Sequence, residues 1–302
     1  MSALKVVVTG ANGFVGRHVV AEALGRGHAV HALTRSGKLP STAPHHALKV
    51  QAWEVTSVAA EAFEGADAAI HLAAFVPPDY ADASFALECF TTNAVGTVRV
   101  LEAARGAHLK SVSVVTSGNA YAAGVSTASE HDALYPNMRA PYYLASKVAA
   151  DSMADAYRVV HGEPVAVVRV SSVYGAGMKG GFLPLCVQRL RACEPLVLQN
   201  GGRARADWVE VNDVARALVD ISESQATGPL NIGGGQTHSI RETANIVADV
   251  LGADPSLLRV EVPESAKDFP LFPGLDISKA RSAFNYQPVS LRTGVERLIA
   301  QS

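Results

Sequence analysis

Short apolar runs alternate with helical segments through the first half of the chain. The runs are rich in β-branched residues and nearly continuous in hydrophobicity, which is typical of parallel strands covered on both faces. We predict strands over residues 5–9, 29–34, 48–52, 68–72, 111–116 and 165–170. The segments between them predict helices over residues 14–25, 58–63, 84–106 and 142–161. This alternation indicates a parallel sheet with crossover helices.

The pattern changes after residue 174, where glycine clusters separate shorter elements at 175–181, 201–202 and 233–235. Later strands are predicted over 208–211 and 230–232, and later helices over 213–222, 239–251 and 291–300. We expect an α/β protein with a Rossmann-type doubly wound parallel sheet and a smaller C-terminal lobe. The expected division separates residues 1–172 from 173–302, and residues 208–235 could pack back on the first domain.

The composition narrows the range of partners. With 302 residues, of which 48% are hydrophobic, the chain can bury a sizeable core. Its formal net charge of −2 and lack of a basic stretch argue against binding to nucleic acid or an acidic membrane, so we expect a small-molecule partner. The first predicted strand begins too early for a signal peptide, and no apolar run reaches about 18 residues. These features predict a cytoplasmic protein.

The cysteines do not suggest a metal site or a disulfide. Cys89, Cys186 and Cys193 are few, odd in number and without the spacing of metal ligands. We expect all three to be buried reduced thiols, with Cys186 and Cys193 on one face of a helix because they lie seven residues apart. No metal is predicted.

Glycines recur at every third position directly after the first predicted strand, at Gly10, Gly13 and Gly16. Glycine allows the tight turn and close backbone approach that a pyrophosphate needs, and the free amides of the following helix attract its charge. The pattern predicts a dinucleotide site in the first domain, and the second domain would then bind the substrate. The alternative interpretation of the glycines is a plain strand–helix turn. The residues expected to hold the cofactor here are Gly10, Asn12, Gly13, Phe14, Val15 and Gly16.

Tyr143 and Lys147 stand four positions apart, on one face of a predicted helix. A cation held beside the phenol would bring the pKa of Tyr143 below its reference of about 10. We therefore expect Tyr143 to serve as a general acid–base group next to a hydride carrier. Taken alone, the pair would also fit a half-exposed helix with no catalytic role. The preceding glycine-rich loop favours the catalytic interpretation.

The end of the second predicted strand bears on the choice of cofactor. An acidic side chain there binds the adenosine ribose of NAD, whereas an arginine accommodates the 2′-phosphate of NADP. Residues 33–36 contain no acid but include Arg35, and Arg17 directly follows the glycine-rich loop. We therefore favour NADP, held by charge-assisted hydrogen bonds from Arg35 and helped by Arg17. The alternative is bound NAD, with Arg35 in a solvated loop.

Further motifs follow in a consistent order along nearly the whole chain. They include T-G-x-x-G-x-x-G at 9–16, H-L-A-A at 71–74, T-N-x-x-G-T at 92–97, T-S-G-N-A-Y at 116–121 and Y-x-x-S-K at 143–147, with later matches at 169–175, 207–215, 231–233 and 276–280. In this ordered set the chain resembles the extended short-chain dehydrogenase/reductase family, often called NAD-dependent epimerases/dehydratases. Each motif is weak by itself, and the order makes the set specific.

The resemblance implies a role for each matched residue. Ser117 would hydrogen-bond the substrate oxygen, Tyr143 would exchange its proton, and Lys147 would hold the nicotinamide ribose and tune Tyr143. A strand-end serine that only satisfies the backbone is the alternative for Ser117, and for Asn93 a structural role near the site is favoured over a chemical one. Further implied cofactor contacts are Glu54, Val55, Leu72, Ala73, Ala74 and Asn93.

The chain departs from the family pattern where the substrate would bind. Dehydratases of the family that this chain resembles share an Asp–Glu pair directly after the serine position. This chain has Gly118 and Asn119 there, which argues against a 4,6-dehydratase. Ser172 replaces the asparagine usual in nucleotide-sugar epimerases, which weakens the expectation of a diphosphate sugar. Arg205 could bind an anion or could be a surface arginine. The candidate substrate contacts are Ser117, Ser172 and Arg205.

These residues leave three functions open. The first is an NAD(P)-dependent reductase or dehydrogenase that transfers hydride to or from a keto or hydroxy group of a sugar-like or other small carbonyl substrate. The second is a nucleotide-sugar 4-epimerase with retained cofactor. The third, a non-catalytic nucleotide-sensing protein, is disfavoured because Ser117, Tyr143 and Lys147 are all present. The resemblance also implies a homodimer formed through helices 84–106 and 142–161.

Overall fold

The computed structural model describes residues 2–39, 45–57, 60–122, 126–136, 138–262 and 272–301. The α-helices are α1 (Phe14–Gly25), α2 (Ala86–Cys89), α3 (Gly96–Gly106), α4 (Pro141–His161), α5 (Phe182–Arg191), α6 (Val211–Ser224), α7 (Ile240–Leu251), α8 (Ser278–Phe284) and α9 (Leu291–Ala300). The longer strands are β1 (Lys5–Thr9), β2 (Ala29–Thr34), β3 (Leu48–Ala52), β4 (Ala68–His71), β5 (Ser111–Ser117), β7 (Val165–Val170), β10 (Arg205–Glu210) and β11 (Gly228–Ile232). The short strands are β6 (Thr127–Ala128), β8 (Ser172–Tyr174), β9 (Leu196–Leu198), β12 (Thr237–Ser239), β13 (Leu258–Val260) and β14 (Gly274–Leu275).

A seven-stranded parallel sheet forms the centre of the molecule, with strand order β11-β7-β5-β4-β1-β2-β3. The direction of strand addition reverses between β1 and β4, which pair in parallel with Thr9 opposite His71. The expected doubly wound Rossmann-type fold is confirmed. A reversal of this kind opens a crevice at the carboxyl ends of the strands, which is where such folds bind ligands.

Alternate residues of the central strands enter two separate cores. Val6, Val8 and Ile70 pack with α1 and α6 on one face of the sheet. Val7 and Ala69 pack with α3 and α4 on the other face. Because both faces are buried, the strands need apolar side chains at successive positions, which explains why they are readable as nearly continuous hydrophobic runs.

The predicted strands agree closely with the structure in the first half of the chain. Four of them have the predicted bounds, β4 is one residue shorter and β5 is one residue longer. The prediction for residues 208–211 was wrong in its limits, because β10 begins earlier, where Arg205 pairs with Ser239 of β12. Of the predicted helix 58–63, residues 58 and 59 lie outside the described part, and Ala60–Phe63 form a 3₁₀ turn.

The single helix predicted over 84–106 was also wrong. A 3₁₀ turn at Ala83–Phe85 leads into α2, a π-helical segment covers Phe90–Val95, and α3 begins only at Gly96. Periodicity cannot reveal this interruption, since a π-helical segment adds one residue to a turn without changing the local composition. π-Helical turns are frequent at functional sites, and this one carries Asn93.

A smaller core lies under the second half of the chain. Helices α5, α7 and α9 surround it and bury Leu183, Val247 and Val295 completely. Beside it, β8, β10 and β12 form a three-stranded sheet. Strand β11 instead pairs with β7 in the large sheet, and α6 packs on α1. The domain limits drawn after residue 172 stay a prediction.

The cysteines are free, but their positions correct two expectations. Cys89 and Cys186 are buried, whereas Cys193 is exposed. Helix α5 ends at Arg191, and Cys193 follows it in the left-handed backbone region with a φ of 55°. The chain turns there toward β9, so Cys186 and Cys193 do not share a helix face. Among the described residues, no cluster of histidine, cysteine, aspartate or glutamate could hold a metal ion.

None of the described helices combines the length and the apolar character needed to span a membrane.

A buried ion pair ties α4 to the central sheet. Arg169 of β7 donates hydrogen bonds to both carboxylate oxygens of Asp151, at 2.8 and 2.9 Å. Arg169 also donates to the Tyr121 hydroxyl, and Thr116 donates to Asp151 at 3.0 Å. The polar groups of the pair are therefore satisfied within the core, as buried charges require.

We predict that Asp151→Ala lowers the free energy of unfolding by about 3–5 kcal/mol, because it leaves the Arg169 guanidinium buried without its counter-charge. Denaturant titration monitored by circular dichroism measures the loss. Asp155→Ala serves as the matched control, since Asp155 pairs with Arg158 on the partly exposed face of the same helix. Equal stabilities for the two variants would contradict the prediction.

Candidate active site

The glycine-rich loop lies where β1 leads into α1, at the point where the strand order reverses. Gly10 has a φ of 66°, and a Cβ there would lie 2.7 Å from the backbone nitrogen of Ala73. A Cβ on Gly16 would lie 2.2 Å from the carbonyl oxygen of Gly10. Only glycine therefore allows the turn to pack this closely, and α1 begins directly after it with no side-chain cap on its first amides. Such a cradle suits the pyrophosphate of a dinucleotide.

Thr9 fixes the segment that follows β4 against this loop. Its hydroxyl oxygen accepts hydrogen bonds from the backbone amides of Leu72 at 3.2 Å and Ala73 at 3.1 Å. The same oxygen lies 2.7 Å from Nδ1 of His71, so the Thr9 proton goes to that nitrogen. Residues 72–74, predicted to contact the cofactor, are thereby placed beside Gly10.

His71 connects this chain of hydrogen bonds to the helices that pack on the sheet. Its Nε2 lies 3.2 Å from Oγ1 of Thr97, and Thr97 donates to the carbonyl oxygen of Asn93 at 2.6 Å. Since Thr97 donates to Asn93, it must accept from His71, which sets the imidazole as the Nε2–H tautomer. Burial, helped by the charge of Lys147, lowers the pKa of His71 to about 3 and keeps it neutral.

Asn93 joins three parts of the structure. Its Oδ1 accepts from the Phe75 amide at 2.7 Å, and its Nδ2 donates to the Phe75 carbonyl at 3.0 Å and to Oγ of Ser146 at 2.9 Å. Ser146 in turn donates to the carbonyl oxygen of Tyr143. All these bonds are made to protein atoms, so Asn93 acts as a structural bridge between the chain after β4 and α4.

Lys147 is buried on the face of α4 that packs on β5. Its Nζ donates to the carbonyl oxygen of Val115 at 3.0 Å and lies 5.9 Å from the centre of the Tyr143 ring. Burial lowers the pKa of Lys147 to about 8. The ammonium therefore stays largely protonated at neutral pH while lying close to the phenol.

The pKa of Tyr143 moves in the direction opposite to the one expected from the sequence. Burial raises this pKa above the ordinary value for tyrosine, and the neighbouring Tyr80 and Cys89 add to the effect. The ring of Tyr80 contacts that of Tyr143 edge to face, with 5.8 Å between centroids. Desolvation of the phenolate is the largest cause of this rise, so the prediction of an acidified phenol was wrong for this arrangement.

Ser117 ends β5 two residues after Val115, which receives the Lys147 bond. Its side chain is buried, and Oγ accepts a hydrogen bond from the Asn119 amide at 3.3 Å. This contact is the backbone-satisfying role considered as the alternative for this serine. A hydroxyl that accepts one bond still has its own proton to donate, so the contact leaves the chemical role open.

Other predicted cofactor residues are more dispersed. Asn12, Arg35 and Glu54 are exposed, whereas Val55 is buried beneath α3. Arg35 follows directly after β2, as a 2′-phosphate contact would require.

Arg17 is committed to another contact. It donates to the carbonyl oxygen of Gly177 at 2.6 Å and lies over the ring of Phe14 at 5.6 Å. The guanidinium therefore fastens α1 to the loop after β8. The expectation that Arg17 helps to bind a 2′-phosphate does not agree with this geometry.

Among the predicted substrate residues, Arg205 is bonded to other protein groups. Arg205 donates to Oγ1 and the carbonyl oxygen of Thr237 and lies 3.4 Å from the carboxylate of Glu242. These contacts of the Arg205 guanidinium therefore lie within the C-terminal lobe. Ser172 is half-buried at the start of β8, opposite Trp208.

Sequence reasoning did not assign site roles to His71, Thr97, Ser146 and Tyr80. The first three lie inside the motifs at 71–74, 92–97 and 143–147, so the order of the motifs contained a signal for them. Tyr80 lies in no motif. Its place beside Tyr143 depends on how the chain after β4 folds back, which local pattern does not encode.

The site and fold have counterparts among known proteins. The sequence model of the NAD dependent epimerase/dehydratase family matches residues 6–233. dTDP-4-dehydro-6-deoxy-D-allose reductase from a Streptomyces species is 28% identical over 308 residues, which cover 96% of this chain and 94% of the reductase.

Two solved structures extend the likeness to three dimensions. The dTDP-glucose 4,6-dehydratase DesIV from Streptomyces venezuelae, with NAD and TYD bound, is 28% identical with a TM-score of 0.84, over 99% of this chain and 96% of DesIV. MoeE5 in complex with UDP-glucuronic acid and NAD is 27% identical with a TM-score of 0.84, over 98% of both chains.

The parallel sheet and its glycine-rich turn place the chain in the class of Rossmann-fold proteins. Within that class, it belongs to the NAD dependent epimerase/dehydratase family, whose model matches more than half of its length. Its relatives are reductases, dehydratases and epimerases of sugar nucleotides, and the chain is accordingly an enzyme.

Proposed function

We propose that the enzyme is an NAD(P)-dependent reductase or dehydrogenase that acts on a keto or hydroxy group of a sugar-like substrate. The observation that supports this proposal is the hydrogen bond from Lys147 to Val115 near the carboxyl end of β5, with the Tyr143 ring close to the same ammonium. A proton donor and a cation thus lie at the edge where Rossmann folds bind nicotinamide cofactors. The bound cofactor would supply or accept the hydride.

The protein residues divide the remaining work among them. Ser117 donates its hydroxyl proton to the substrate oxygen, and Tyr143 gives or takes the proton that accompanies reduction or oxidation at that oxygen. Lys147 holds a positive charge close to the phenol and the ribose. The glycine cradle at Gly10 and Gly16 holds the pyrophosphate, which no larger residue would permit.

The direction of the pKa shift at Tyr143 supports reduction over oxidation. A raised pKa keeps the phenol protonated at neutral pH, so it is ready to donate. Transfer to an alkoxide formed from a carbonyl is favourable, because an alkoxide is a stronger base than a phenolate. Oxidation would need the phenolate, which burial disfavours.

Packing around Gly118 supports a redox reaction without loss of water. A Cβ at Gly118 would lie 2.7 Å from Cδ1 of Leu275, which is itself buried. A carboxylate in this position would have to displace Leu275 and would be buried against an apolar side chain. An acidic residue at this position, as in the family's dehydratases, would therefore require Leu275 to move.

Turnover of defined probes tests the reaction. Purified enzyme is mixed with cyclohexanone and NADPH or NADH, and with UDP-glucose or dTDP-glucose and the oxidised cofactors, while nicotinamide absorbance is followed. Net change in absorbance supports the reductase or dehydrogenase. Conversion of UDP-glucose detected by NMR without such a change supports the alternative, a 4-epimerase with retained cofactor. Inactivity with every probe would contradict both.

We predict that Tyr143→Phe lowers kcat by about 10²–10⁴-fold, because the phenylalanine ring has no proton to transfer. Cofactor affinity, measured by fluorescence titration, should stay nearly unchanged. Lys147→Ala should weaken both turnover and cofactor binding. Full activity of Tyr143→Phe would overturn the proposed mechanism.

We propose NADP as the preferred cofactor and NAD as the second choice. Arg35 is exposed directly after β2, and residues 33–36 provide no acid for the ribose of NAD. The solved relatives DesIV and MoeE5 were obtained with NAD, so the preference depends on this chain's own residues. We also propose the cytoplasmic location that the sequence led us to expect.

Arg35→Ala should weaken NADPH binding by about tenfold or more while changing NADH binding little, because only NADPH carries the 2′-phosphate that the guanidinium would hold. Dissociation constants for both cofactors are measured by fluorescence titration. Lys38→Ala, an exposed cation nearby, is the control for general loss of positive charge. Equal losses for both cofactors in Arg35→Ala would refute the assignment.

We also propose a homodimer formed by α2, the π-helical segment and α4. Large apolar side chains stand exposed on this surface, including Leu87 at 77%, Phe90 at 51% and Val160 at 72% of their full area. Met153 lies on the same side of α4, seven residues before Val160. Exposed apolar surface of this extent is typical of an interface between proteins.

The double variant Leu87→Glu/Phe90→Glu should convert the protein to a monomer, because burying two carboxylates in an apolar interface is costly. Light scattering after size exclusion gives the mass in solution. Val262→Glu, which alters an exposed valine outside these helices, should remain dimeric. A wild-type protein with the mass of one chain would refute the dimer.

A further inference from the structure

Tyr80 lies against the proposed proton donor, although no motif contains it. Its ring meets that of Tyr143 edge to face at 5.8 Å and 68° between planes. It is 40% exposed, so one side of the ring packs on Tyr143 and the other remains accessible. Tyr80 therefore stands beside the proposed proton donor with part of its ring open to solvent.

The segment that carries Tyr80 is pinned at both ends. Asn93 binds both the amide and the carbonyl of Phe75, and the rings of Phe75 and Phe85 pack together at 5.8 Å. Between them, the Asp79 carboxylate accepts the Ala81 amide at 2.9 Å and forms a tight turn around Tyr80. The aromatic ring is thus presented by a closed, internally bonded loop.

The chemistry of this loop suits a neutral part of a substrate. Residues 76–82 contain two aspartates and no lysine or arginine, so they would repel a phosphate group. They offer instead the apolar ring of Tyr80, together with two prolines that restrict the backbone. An aromatic face of this kind packs well on the C–H groups of a sugar or other ring.

We propose that Tyr80 is a specificity-determining residue, whose ring forms the wall beside Tyr143 against which the neutral, C–H-rich ring of the substrate lies. This inference rests on the proposed function, because it assumes that the reacting oxygen is bound at Tyr143. It assigns the phosphate-free end of the substrate to the loop after β4. It also gives Tyr80 a second effect, since the ring keeps water from Tyr143.

The test compares Tyr80→Ala, Tyr80→Phe and the loop control Val76→Ala, whose side chain is 54% exposed. Each is assayed with cyclohexanone, UDP-glucose and dTDP-glucose, using whichever the wild-type enzyme converts. Tyr80→Ala should raise KM about tenfold or more with little change in the dissociation constant of NADPH. Tyr80→Phe, which keeps the ring, and Val76→Ala should stay within about threefold of wild type.

The pH dependence separates this role from a merely structural one. The groups facing the Tyr143 phenol are Tyr80 from its loop, Cys89 from α2 and Lys147 from α4. Burial and Tyr80 raise the pKa of Tyr143, so removing the ring should lower this pKa. The alkaline step in which Tyr143 loses its proton lies above the step set by Lys147, whose pKa is about 8, and should move to lower pH in Tyr80→Ala and less in Tyr80→Phe.

The outcomes distinguish the two proposals. An active Tyr80→Ala variant with wild-type KM and an unmoved alkaline step would overturn the role of Tyr80 and leave the proposed function intact. A wild-type enzyme that converts none of the three probes would overturn the proposed function and this inference with it. Loss of folding in Tyr80→Ala is detected by circular dichroism, and the test then depends on Tyr80→Leu, which keeps bulk but lacks the ring.

Discussion

A chain of buried hydrogen bonds from Thr9 through His71, Thr97 and Asn93 to Ser146 sets the position of α4 relative to the glycine-rich loop. The donors from Thr9 to Thr97 all point the same way along the chain, because the imidazole is held as a single neutral tautomer. A buried network that is fully satisfied in this way is rigid, and breaking one member would leave the next without a partner. The distance between the proposed cofactor cradle and the proposed proton donor therefore depends on it.

Burial sets the charge state of the site. It acts on three groups: the pKa of His71 falls to about 3, that of Lys147 falls to about 8, and that of Tyr143 rises. Each shift favours the neutral form, as expected where water is excluded. Near neutral pH the result is a neutral imidazole, a protonated phenol and one ammonium, which together suit delivery of a proton to a developing alkoxide.

Contacts within the protein explain why the arginines suggested by the sequence are not all available to a ligand. Arg17 and His18 of α1 bind carbonyl oxygens of residues 176 and 177, and so fasten the loop after β8 to the helix of the glycine cradle. Arg205 is directed to Thr237 in its own lobe. These two arginines are therefore engaged in contacts within the protein.

The sequence by itself determined the fold class, the strand limits of the central sheet and the association of a glycine cradle with a Tyr–Lys pair. These features follow from local periodicity, from the conformational freedom of glycine and from helical spacing, which are properties of neighbouring residues. Only the tertiary structure decided the π-helical segment around Asn93, the raised pKa of Tyr143, the contacts of Arg17 and Arg205, and the place of Tyr80. Each of these depends on burial or on partners far away in the chain, and the energy of a charge or a hydrogen bond is set by that surrounding structure.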